Sequence, residues 1–75
     1  MTYKVDSKEL RKAMINSGFT TIEDLANASG VNRNTISAVL NGETRPTSTI
    51  IDRLSVAMEL SGTDIGRIFF SQELA

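Results

Sequence analysis

The sequence contains no cysteine, no histidine and no tryptophan, and each absence removes chemistry. Without cysteine there are no disulfides and no thiolate metal sites. Without histidine there is no imidazole ligand, no histidine general base and no Cys/His nucleophile pair. The chain is therefore expected to need no cofactor and no metal, and to work in an intracellular, cytoplasmic setting. Long hydrophobic runs are lacking too. The longest are three residues, as in Ile68-Phe69-Phe70, which is too short for a membrane span, and no basic-then-apolar leader opens the chain.

Enzymatic roles that use only serines or carboxylates find no support. The acidic pair Glu23 and Asp24 falls in the first turn of a predicted helix, where acids complement the helix dipole. No nucleophile stands beside a plausible base and no glycine-rich loop follows a strand, so the expectation is a non-enzyme. Charge of one sign is also missing: the formal net charge is -1 and the pI about 5.2, where DNA-binding domains are more often basic. Distribution softens that objection, because Leu25 to Gly42 contains Arg33 and no acid, so one face can be locally positive.

What is present is a succession of helix signals over 75 residues, expected to form one domain spanning 1–75 around one core. The first helix is predicted from Ser7 to Ser17, with Asp6 as cap, Glu9 completing a capping box, and Val5 and Leu10 at the hydrophobic staple positions. Leu10, Ala13 and Met14 share its inner face, and Gly18 stops it. The second begins near Thr21, buries Leu25 with Ala26 or Ala28, and closes at Gly30. The third is capped by Asn32, has Val31 positioned to staple to Ile36, and turns Ile36 with Val39 or Leu40 inward.

The lone proline, Pro46, forbids continuation of that helix through Glu43-Thr44-Arg45 and leaves Thr47 as cap of a fourth. The fourth carries Ile50 or Ile51, Leu54, Ala57 and Met58. A fifth, from about Asp64, turns Ile65, Ile68 and Phe69 inward. No segment sustains period-two alternation, so no strand is expected and the fold class is all-α.

Within this array, Thr21 to Gly42 (TIEDLANASGVNRNTISAVLNG) holds two short amphipathic helices joined by a turn at Gly30. That is the layout of a helix-turn-helix, whose second helix is presented for reading DNA. The run Asn32-Arg33-Asn34-Thr35 opens the second helix with groups able to donate to base edges or phosphates, none of them negative.

These phrases, together with Asn41-Gly42 followed by Arg45-Pro46 and the later T-D-I-G-R-I-F, resemble the lambda-repressor-like (Cro/C1-type) helix-turn-helix family over most of the chain. The resemblance implies a five-helix domain with the helix-turn-helix at helices 2 and 3. It also implies a third helix in the major groove, a homodimer on a two-fold operator of double-stranded DNA, and a bacterial or phage-infected host cell. By position in the motif it places Arg33, Asn34, Ser37 and Ala38 against bases, and Asn32, Thr35, Asn41, Thr44 and Arg45 against phosphates. Arg matches guanine bidentately, Asn matches adenine, and Ala38 suits a thymine methyl.

Three positions depart from the family pattern: Ile22 replaces a frequent glutamine, Glu43 a common lysine, and Leu40 a residue that is usually polar and exposed. With Phe70 and Leu74 near the C-terminus, Ile22 and Leu40 define a second reading. In it the same fold binds a partner repressor or other regulator, as an antirepressor, corepressor or antitoxin does. The first reading is a sequence-specific transcriptional regulator of phage Cro or repressor type.

Overall fold

Side chains that start helices stand where the chain needs them. In the computed structural model, which describes residues 3–72, the helices are α1 (Ser7–Asn16), α2 (Ile22–Ser29), α3 (Arg33–Leu40), α4 (Ser48–Ala57) and α5 (Gly62–Phe69). Asp6, Thr21, Asn32, Thr47 and Ser61 cap them in that order, each side chain accepting a backbone N–H of the first turn that has no partner within its helix. Among the described residues no helix is long and apolar enough to cross a membrane.

Three local expectations are corrected. Asp6 caps α1, but the box with Glu9 is half made. The Asp6 N–H donates instead to the Ile68 carbonyl at 2.7 Å, and the Glu9 carboxylate turns to Arg67 at 3.6 Å and Lys12 at 3.8 Å. The reciprocal box forms at α5, which starts at Gly62 rather than near Asp64. There Asp64 accepts from the Ser61 N–H, and its own N–H donates to the Ser61 hydroxyl, both at 3.1 Å. Strand is also present: β1 (Tyr3–Lys4) and β2 (Ser71–Gln72) pair antiparallel, Tyr3 opposite Gln72 and Lys4 opposite Ser71. Two residues per strand are too few for alternation to register in sequence. The pairing extends the Asp6–Ile68 bond, which draws the two flanking segments together.

The core is one cluster drawn from all five helices: Leu10 and Met14 of α1, Leu25 of α2, Ile36, Val39 and Leu40 of α3, Leu54 of α4, and Ile68 and Phe69 of α5, with Val31 and Met58 from adjoining turns. Ala26, Ile50, Ile51, Ala57, Ile65 and Val5 pack at its margin, whereas Ala28 is exposed. Leu40 is 2 % exposed, which removes it from any partner surface. One turn on from Ile36 and beside Val39 it lies on the inward stripe, where a polar side chain would be buried without cause. We predict that Leu40→Ser unfolds the domain and that Leu40→Ala costs about 2–5 kcal/mol in denaturant unfolding.

Helices α1, α3 and α4 end alike, with the residue after the cap in the left-handed region and the next N–H reaching back to the third residue from the helix end. The acceptors are Met14, Ala38 and Ser55, and the donors Phe19, Glu43 and Leu60. Glycine fills the left-handed position after α1 and α3, but after α4 it is Glu59, at φ 52°. A β-carbon there is penalised by about 1–2 kcal/mol, partly offset because glycine loses more entropy on folding. Glu59→Gly is therefore expected to stabilise the fold by about 0.5–1 kcal/mol, seen as a rise in denaturation midpoint at unchanged m-value.

The α5 box has a pH signature. The Asp64 carboxyl is held below its ordinary value, first by the Ser61 N–H, then by the Ser61 hydroxyl and by the Arg67 guanidinium, which lies 3.1 Å away. A depressed folded-state pKa contributes stability that is present above the ordinary carboxylate value and lost as pH falls through the lowered one. The stability difference between about pH 6 and about pH 2 should therefore be smaller in Asp64→Asn than in the parent protein, as measured by chemical denaturation.

Candidate nucleic-acid interface

The α2–α3 junction is a tight turn made at Gly30. Its φ of 75° is one that residues with side chains rarely adopt, and a β-carbon there would sit 3.3 Å from the Arg53 guanidinium. The turn delivers Val31 to the core and Asn32 to the surface, where the Asn32 side-chain oxygen accepts the Asn34 N–H at 2.7 Å. Helix α3 thus starts at the surface, with Asn32, Arg33 and Asn34 all exposed.

The burial of Ile36, Val39 and Leu40 settles which side of α3 faces out. Asn34 and Ala38 lie opposite that stripe, Ser37 flanks them and Arg33 stands in the first turn: Arg33 and Asn34 are exposed, and Ser37 and Ala38 half-buried. Arg33, Asn34 and Ser37 line a groove of about 300 Å³ with Thr21, Ile22 and Glu23 from the start of α2. Three of the four candidate base-reading residues thereby line one groove, which Ala38 does not. Among the described residues no carboxylate lies within 4 Å of the Arg33 guanidinium, which leaves its donors open to an external acceptor. Glu23 borders the same groove, an acid beside the candidate reading face that the helix-dipole argument alone did not bring into view.

The candidate phosphate residues divide. Asn32 is exposed and engaged as cap, and Thr35 is half-buried on the flank of α3. Asn41, Thr44 and Arg45 are exposed along the loop that follows α3, while Pro46 is buried and anchors the loop's far end. Arg45 is not a free loop charge. Its guanidinium donates to the Tyr3 carbonyl and lies 5.6 Å from the Phe70 ring centroid, and Tyr3 meets Phe70 edge-on at 6.1 Å. The ribbon also brings Lys4 to this loop. Lys4, Gly42, Glu43, Thr44 and Arg45 border one cleft of about 230 Å³. No local signal marks Lys4 in the sequence, because its proximity depends on a pairing between the two ends of the fold.

The proposed partner residues are not gathered into a patch. Leu40 is in the core, and Ile22 is half-buried against it. Phe70 is 43 % exposed but engaged by Tyr3 and Arg45, and Leu74 lies outside the described residues. Among the described residues the large apolar side chains most open to solvent are instead Val56, 70 % exposed, and Ile15, 65 % exposed.

A family model described as helix-turn-helix matches residues 8–65, which takes in α1 to α4, the turn at Gly30 and the first half of α5. The chain belongs to the Cro/C1-type helix-turn-helix family. No curated protein and no solved structure shows a significant match to it. Membership makes this helix-turn-helix protein a DNA-binding regulator in general terms.

Proposed function

We propose that this helix-turn-helix protein is an autonomous, sequence-specific transcriptional regulator of the phage Cro or repressor type. It would occupy an operator and exclude polymerase or a competing regulator. In this reading α3 lies in the major groove, Arg33 and Asn34 make bidentate contacts to purine edges, and Ser37 and the small Ala38 meet bases one turn later. Asn32, Thr35, Asn41, Thr44 and Arg45 hold the flanking phosphates and set the register. The observation that carries the reading is the outer face of α3, acid-free and led by an unpaired, exposed Arg33, on a helix whose opposite face is wholly buried. The net charge of -1 then limits non-specific binding, so that base contacts account for a larger share of affinity.

A second reading is favoured by Ile15 and Val56, whose exposure suits docking of another regulator or of a second copy. A domain of this size buries little DNA surface alone, and a homodimer on a two-fold site doubles it.

The test is selection from a random duplex pool by the purified protein at low and near-physiological salt, beside Arg33→Ala. A motif that persists at the higher salt is expected. Arg33→Ala and Asn34→Ala should each cost about 1–3 kcal/mol on the selected duplex and relax preference at one position, with thermal unfolding unchanged. Unaltered affinity and preference in both variants would refute base reading by α3. Enrichment that appears only when a second protein is added would favour the partner-dependent reading.

A further inference from the structure

Arg45 is held differently from the ion-paired cations among the described residues. Lys12 and Arg67 pair with carboxylates on the α1–α5 side. Arg45 is held without any carboxylate, by a carbonyl of β1 and an aromatic ring at the end of α5. Both holders are neutral acceptors of a cation, a carbonyl dipole and a ring face, so the guanidinium is oriented without an ion pair, Glu43 on the same cleft making no salt bridge to it. It also stays exposed, at the rim of the cleft that includes the Thr44 hydroxyl. A carboxylate partner would have fixed the side chain and cancelled its field; this arrangement fixes it and keeps the field. The ribbon itself makes just two residue pairs, and its rings are partly open to water, Tyr3 at 46 % and Phe70 at 43 %.

We propose that the terminal ribbon is a clamp that pre-orders Arg45 for a DNA backbone phosphate, with Tyr3 and Phe70 acting as positioning residues for that contact. The proposal rests on the duplex-binding reading above and deepens it. A flexible arginine on an exposed loop gives up rotamer freedom on binding a phosphate, and one already held in place gives up less. A guanidinium has five N–H donors, and the Tyr3 carbonyl accepts one from a terminal nitrogen, leaving others for phosphate oxygens.

The experiment measures affinity for the selected duplex over a range of salt, with Phe70→Leu, Phe70→Tyr, Arg45→Gln and the double variant Phe70→Leu/Arg45→Gln. Arg45→Gln should reduce the slope of log affinity against log salt by about 0.9, the signature of one lost phosphate contact. Phe70→Leu, which keeps apolar bulk and removes the ring, should weaken binding about two- to five-fold, while Phe70→Tyr stays near the parent. In the Arg45→Gln background Phe70→Leu should have no further effect, which a general structural role for the ring would not produce. An unchanged slope in Arg45→Gln, or an equal loss from Phe70→Leu with and without Arg45, would overturn the clamp while leaving duplex binding intact. Failure of the parent protein to select any duplex would overturn the binding reading and the clamp with it.

Discussion

The outer face of α3 depends on the burial of its inner one. Ile36 and Val39 are fully buried and Leu40 nearly so, three residues on a helix of eight. That burial fixes the rotation of the helix about its axis. Once those three are inward, Asn34 and Ala38 fall on the other side with Ser37 at its margin, Arg33 is exposed in the first turn, and the cap at Asn32 and the turn at Gly30 fix the end at which α3 emerges. A rigid helix with a fixed rotation is what direct readout requires, because bidentate contacts tolerate little displacement.

Electrostatics follow the same division. The ion pairs among the described residues lie on the α1–α5 side, where Glu9, Lys12, Asp64 and Arg67 engage one another. Across the molecule Arg33 is unpaired, and Arg45 is held by a carbonyl and a ring. A slightly acidic chain can thus present a cationic surface without a high net charge. On the α1–α5 side Lys12 and Arg67 are matched by Glu9 and Asp64, whereas Arg33 and Arg45 have no carboxylate within 4 Å among the described residues.

Much of this was legible in the sequence, and the misses are instructive. The caps at Asp6, Thr21, Asn32 and Thr47 and the stops at Gly18 and Gly30 are local signals, set by hydrogen bonds within a few residues, and each stands where expected. Leu40 was ambiguous because helical periodicity admits it inside while the family pattern places a polar, exposed residue there; packing decided for the inside. The fifth helix starts earlier than expected because the Ser61–Asp64 box includes Gly62 and Thr63 in its first turn. The ribbon, the clamp on Arg45 and the approach of Lys4 to the α3–α4 loop were not legible. They arise from contacts between residues 25 or more positions apart that no local pattern encodes.

The central claim, that the outer face of α3 with the loop beyond it is the DNA-reading surface, is tested most directly by titrating the isotope-labelled protein with a selected duplex and following its amide and side-chain NMR signals. The account predicts that the largest changes fall on residues 32–38 and 41–45, with the Arg33 and Asn34 side chains foremost, and that Ile15 and Val56 change less. Changes centred on Ile15 and Val56 with α3 unperturbed would contradict it.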